Sequence, residues 1–420
     1  MTKRISKILF LFLVCGLWSM VPSLSFAADY HLDAMSIGQV RKNVQDTQQI
    51  PVNGYFGAGS NTEKWDFKTE TNMRVFRDFD DKTDKYDLYQ TLLHFKPAEM
   101  LQLDMGRQFV NQGFSVEVLD GLQTTLRPAD PVFITAFSGI PRSIETRGFH
   151  RNDALLTGMT VGMKKYKGTT ASLHGNWRKN NVNAIDFTHN DEILVGGNVS
   201  HQFQVSMTPM VYGASEYDTT GKVLEVGTVG LDIYPSNKVA LNVEGNYFNA
   251  NRALDRRTIE SIYSKGRLID ARFSSTFTLV PNALKLVENY SYENMEVAAN
   301  DFQSGHRLDA GLQFSSEQLG LQFEPSYYFI KSFGGKLNGI RAMLREQFND
   351  ALYAQLNIDF TKYKKITNDN DNALSFYGWT GYEVLKGFVV SGGFEYNKNN
   401  LFDRDARGSF RLDYHFDNKS

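Results

Sequence analysis

The stretch Gly408-Ser409-Phe410-Arg411-Leu412-Asp413-Tyr414-His415-Phe416 decides how the chain is read. Phe410, Leu412, Tyr414 and Phe416 fall on one parity, and Ser409, Arg411, Asp413 and His415 on the other. Successive side chains of a strand point to opposite faces, so this segment presents one aromatic wall and one charged wall. A soluble sandwich uses such a strand once or twice. Here the pattern recurs along most of the sequence.

Working back towards the N-terminus, Leu356, Ile358 and Phe360 oppose Asn357 and Asp359, and Ile340, Ala342 and Leu344 oppose Arg341 and Arg345. Phe323, Pro325 and Tyr327 oppose Gln322, Glu324 and Ser326. Leu308, Ala310 and Leu312 oppose Arg307, Asp309 and Gln313, while Ile269, Ala271 and Phe273 oppose Asp270 and Arg272. Phe394 and Tyr396 flank Glu395 in the same way. The alternation becomes regular at Trp65, and Leu101, Leu103 and Met105 stand opposite Gln102, Asp104 and Gln108. Each segment is about ten residues long, the length a tilted strand needs to cross a bilayer. Brief turns such as 97–99, 235–237, 281–282 and 385–387 alternate with mostly longer polar loops. No fixed-length repeat of the kind that marks a propeller or a β-helix is visible.

Residues 1–27 begin with Lys3, Arg4 and Lys7, continue with an apolar run from Ile8 to about Val21, and end in Ser25-Phe26-Ala27. A basic head, an apolar middle and a small-x-small site predict a cleaved signal peptide. The one cysteine, Cys15, lies inside it, so the mature chain is expected to have no disulfide, no cysteine-ligated metal and no covalently held c-type haem. The full chain carries a formal charge of −2, and losing the three signal cations makes it more negative. That mild balance argues against nucleic acid as a partner.

The sequence therefore predicts an all-β fold: a single transmembrane antiparallel β-barrel of about 18–20 strands with short periplasmic turns and longer extracellular loops. Its expected parts are the signal peptide (1–27), a periplasmic lead or barrel-entry segment (28–64), the barrel (65–416) and a short tail (417–420). Lipid supplies no hydrogen bonds, so every backbone polar group must pair along closed strand edges. Residues 28–64 are too few for the globular plug of a TonB-type transporter.

The C-terminal strand resembles the closing strand of bacterial outer-membrane proteins, whose alternating aromatics are read by the barrel-assembly machinery. Four residues, Asp417 to Ser420, extend beyond the last aromatic. Gly106-Arg107-Gln108, Gly113 and Asp120-Gly121 resemble a pattern in outer-membrane porins of the alginate-export type. That resemblance implies a porin-like barrel in the outer membrane. Read as residues alone, the glycines allow bends and close backbone approach, and Arg107 with Asp120 forms a wall ion pair. Size and charge pattern are also similar to barrels that sheathe a separate multihaem cytochrome in an electron conduit.

The predicted pore-lining residues are Arg107, Asp120, Asp270, Arg272, Arg307, Asp309, Glu324, Arg341, Arg345, Asp359, Glu395, Arg411 and Asp413. Such charges either shape solute passage or simply pair across strands for stability. Two arginine-bearing loops, 139–153 with Arg142, Arg147 and Arg151, and 249–265 with Arg252, Arg256 and Arg257, are the candidates for a constriction. Catalysis has little support. The histidines are scattered without metal-ligand spacing, although His94, His174, His201 or His415 could join a serine and an acid, as in barrel lipid hydrolases. The expected function is passive passage of ions or small polar solutes, with no cofactor. A cytochrome sheath is the alternative.

Overall fold

A computed structural model describes residues 28–42, 48–62, 66–78, 84–113, 115–142, 155–179, 191–249, 266–298, 301–332, 335–365, 370–399 and 405–418. The N-terminal third contains β1 (Ala28–Lys42), the two-residue β2 (Gln48–Gln49), β3 (Pro51–Thr62), β4 (Phe67–Asp78), β5 (Asp84–Ala98), β6 (Leu101–Gln112), β7 (Ser115–Ala129) and β8 (Val132–Arg142). The middle contains β9 (Leu155–Tyr166), β10 (Thr169–Lys179), β11 (Asp191–Gln202), β12 (Met210–Asp218), β13 (Val223–Ser236), β14 (Val239–Asn249) and β15 (Arg267–Val280). The last third contains β16 (Leu284–Ala298), β17 (Asp301–Ser316), β18 (Leu321–Ser332), β19 (Gly335–Gln347), β20 (Leu352–Lys365), β21 (Asn370–Leu385), β22 (Phe388–Lys398) and β23 (Asp405–Asn418).

Every long strand pairs antiparallel with its neighbours in sequence, and β1 pairs with β23 from Tyr30↔Asn418 to Val40↔Gly408. The sheet is thereby closed into a barrel of 22 strands, and β2 only extends the β1 hairpin. This exceeds the 18–20 strands anticipated. Of the two expectations for residues 28–64, a periplasmic lead or a barrel-entry segment, the strands agree with the second: the segment supplies β1 and β3, wall strands that complete the cylinder. Glycine and polar residues weaken the alternation of that segment, so its sequence reads as irregular. Its backbone still needs partners, and the free edge of β23 supplies them.

The register fixes which face is inside. Arg178 on β10 reaches Glu117 on β7, and His174 on β10 reaches Glu216 on β12 at 3.2 Å, each passing over intervening strands. Arg341 on β19 likewise passes over β18 to Asp309 on β17. Side chains that skip a strand in this way converge on the concave, inner face. The opposite parity carries exposed apolar residues all round the barrel, among them Leu173, Val229, Ile340, Ile358 and Phe410. Tyr30, Phe416, Phe388 and Tyr414 crowd the outer face at the end holding both termini, and Tyr86, Tyr217, Tyr292 and Phe302 lie towards the far end. Among the described residues only Val110, Val118, Leu119, Phe137, Leu156 and Leu194 are buried apolar side chains. The molecule is apolar outside and polar inside, the form in which strands cross a membrane.

Candidate functional site: the inner wall and a charged patch outside

Twenty-two strands spaced about 4.8 Å apart and tilted by about 40° enclose a cylinder roughly 40 Å across between backbones. Side chains of that wall cannot fill such a space. The inner wall is consequently a surface, and its charges are arranged on it in short networks. Arg272 bonds Asp270 at 2.6 Å and lies 3.8 Å from Glu244, which also accepts the Tyr212 hydroxyl at 2.8 Å. Arg341 holds Asp309 and donates to the Ser326 hydroxyl at 2.9 Å. Tyr328 donates to Asp359 at 2.6 Å.

Further round, Arg407 bonds Asp405 at 2.6 Å and approaches Glu395 at 3.9 Å, and Arg411 bonds Asp413 at 2.7 Å. Arg307, opposite Ser291 and Ile330, is exposed to the lumen. Arg345 faces it over the Tyr353 ring at 5.8 Å, and Glu324 stands opposite Met343 on the same inner face. Neighbours of opposite sign leave short-range fields around Arg272, Arg341, Arg407 and Arg411, each of which has an acid within a few ångströms.

Arg107 and Asp120 differ from the other candidates. They are cross-strand partners, as the sequence suggests, with Arg107 Nε on Asp120 Oδ1 at 2.6 Å and Nη2 on Oδ2 at 2.8 Å. Their parity, however, is that of Met105, Phe109 and Leu122, exposed by 55 %, 45 % and 45 %. Asp104, Gln108 and Val110, on the other parity of the same strand, are buried inside. The pair therefore lies on the outer wall, and the expectation that it lines the pore is corrected. Arg142, expected in a constriction loop, ends β8 and donates Nε to Asp120 Oδ2 at 2.7 Å on that outer face. Arg147, Arg151, Arg252, Arg256 and Arg257 lie outside the described residues.

The glycines of the motif explain how the pair is held. Gly106 pairs with Gly121 beside the Arg107–Asp120 step. Gly106 has φ +115°, and a Cβ there would stand 2.1 Å from the Thr91 carbonyl oxygen. This close approach brings Arg107 Nη1 to the Leu88 carbonyl at 2.8 Å. Gly106→Val is expected to lower stability by roughly 1–3 kcal/mol through strain at that φ. Urea unfolding in micelles measures it, with Gly392→Val, at an extended position with only an ordinary contact, as the mild control.

Sequence reading missed a shelf on the inner wall. Val110, Leu119, Phe137 and Leu156 form a buried apolar cluster on the inward parity of β6 to β9. Alternation alone assigns inward residues to water and gives no sign of such cover. The tip of the β6–β7 hairpin leans inward as well, since a Cβ on Gly113 would meet the His174 ring at 2.3 Å. Glu117–Arg178 and His174–Glu216 surround this shelf.

Of the other histidines, His94 bonds Asp104 at 2.6 Å, His201 bonds the Thr169 hydroxyl at 2.8 Å, and His415 bonds Asp33 at 2.5 Å. None of the four hydrogen-bonds a serine among the described residues. In the turn before β4, a 2.8 Å bond from Lys68 holds the Asp66 carboxyl below its usual range, against the smaller effect of desolvation.

No family model matches the chain, and no curated protein does. Solved structures do. The P pilus usher PapC translocation pore aligns with a TM-score of 0.52 at 8% identity, covering 92% of this chain and 99% of that one. The chain has the closed β-barrel fold of that structure. Pseudomonas aeruginosa OpdQ gives a TM-score of 0.47 at 9% identity over 93% of this chain and 99% of its own. OccK3 (OpdO) of the same organism gives 0.45 at 9% identity, over 93% and 96%.

Proposed function

We propose that this protein is a porin-like channel of the bacterial outer membrane, passing ions and small polar solutes passively. The observation that carries the reading is the division of faces: a closed cylinder, apolar outside, with a wide inner wall of paired charges. The apolar exterior matches hydrocarbon, and the end with both termini and the short connections is the periplasmic one. Charges on the wall are near balance, so weak charge selectivity is expected. The β6–β9 shelf and the inward hairpin tip project into the lumen, and Glu117–Arg178 braces them.

In a planar bilayer, the purified protein should give stepwise, ohmic conductance without any partner. Glu117→Ala combined with Arg178→Ala should raise the single-channel conductance by freeing the hairpin tip. Silence of the wild-type protein would sink the channel reading. A second reading is favoured by the width of the barrel: at 22 strands the lumen exceeds that of porins with 16–18. It has room for a separate multihaem cytochrome, and haem co-purifying with a non-conducting barrel would support that sheath.

A further inference from the structure

Charge is scarce on the outer wall. Away from the strand ends, the outward positions of the described strands are mostly apolar, small or hydroxylic. His306 (2.8 Å from the Tyr290 hydroxyl), Glu288 (hydrogen-bonded by Ser275 at 3.1 Å) and the Arg107–Asp120 pair are ionisable exceptions, of which only the last brings guanidinium and carboxylate together. Arg142 adds a second guanidinium to the same carboxylate at the far end of β8. A cluster of this kind facing hydrocarbon is costly unless something polar meets it.

Next to the cluster, on its membrane side, lies an open apolar groove of about 600 Å³. Leu122, Ala136, Thr157, Gly175, Trp177 and Ile193 are among its lining. Small residues form the floor, and Trp177 and Ile193 stand at the side. Leu122 follows Asp120 by two residues on the same face, so groove and cluster are continuous. An arginine has five N–H donors in a rigid fork. Arg107 uses three of them on Asp120 and the Leu88 carbonyl, leaving two for an acceptor outside the protein.

From the cationic head at the extracellular end and the apolar channel below it, we infer that this face is a binding site for a phospholipid of net negative charge in the outer leaflet, in preference to a zwitterionic one. The guanidinium fork matches a phosphate's oxygens, and the groove takes an acyl chain. Charge complementarity favours this occupant over a second copy of the chain, whose same surface would bring guanidiniums against guanidiniums. The inference rests on the membrane reading proposed above.

Trp177 reports on the groove directly. In a Trp18→Phe, Trp65→Phe, Trp379→Phe background it is the single tryptophan. The barrel is refolded into phosphatidylcholine bilayers containing one part in five phosphatidylglycerol, with bromine on the chains of one lipid or the other. Per mole of brominated lipid, the phosphatidylglycerol should quench Trp177 roughly threefold more strongly, as local attraction by an arginine predicts. Replacing Arg107, Asp120 and Arg142 together by leucine removes the whole cluster and should return that ratio to one while the barrel still inserts. A ratio of one in the parent overturns the inference alone, provided the protein floats with the bilayers. Shielding of Trp177 from both brominated lipids means a second copy covers the groove, which also overturns it. A protein that does not float overturns the membrane reading and this inference together.

Discussion

Ile358→Arg is expected to cost the barrel about 2–4 kcal/mol, whereas Asn357→Arg one residue away should change stability by no more than about 0.5 kcal/mol. Ile358 is exposed on the outer face in the middle of β20, paired with Ala342 and Phe376. A guanidinium there loses water without gaining a partner, and the loss is largest near the middle of the hydrocarbon layer. Asn357 faces the lumen between Met343 and Tyr377, where water stays within reach. Reversible unfolding in lipid vesicles, followed by tryptophan emission or heat-modifiable mobility, gives both values. Equal effects at the two positions would mean that the barrel's two faces meet the same solvent, and the membrane reading would fall.

Asp120→Leu should be the most damaging single change on the outer wall. It removes the carboxylate shared by Arg107 and Arg142, and breaking such a pair from one side typically costs about 3–5 kcal/mol. Replacing Arg107 and Asp120 together by leucine should recover most of that loss, since apolar residues of similar volume often stand in for an ion pair at little cost. The Arg142 that remains lies at a strand end, where its long stem lets the head reach water. A double variant as unstable as the single one would show that the damage comes from packing around β7 rather than from stranded charge.

The period-two lettering was enough to read the barrel from Trp65 onward, because lipid and water impose opposite demands on neighbouring residues. It failed where those demands are relaxed. β1 carries Gly38 among polar residues, and its place is dictated by the unpaired edge of β23 rather than by its own composition. The Arg107–Asp120 pairing was legible from the motif, and its face was not. A charged pair looks like inner wall until the exposed Met105 and Phe109 beside it are seen to share its side. The inner shelf at Leu119 and Leu156 was hidden for the converse reason: inward apolar residues covered by other parts of the chain leave no mark in a two-letter pattern.

The seam between the first and last strands has a consequence for assembly. Asp33 and His415 meet across it although 382 residues separate them, and no hairpin turn sets their alignment in advance. Every other long strand can be nucleated by its neighbour as the chain emerges, but this join waits for the final residues. A slip of one position there would turn Phe410 and Leu412 towards water and Arg411 towards lipid. The zipper can close in one phase only, and the solvent on either side does the proofreading.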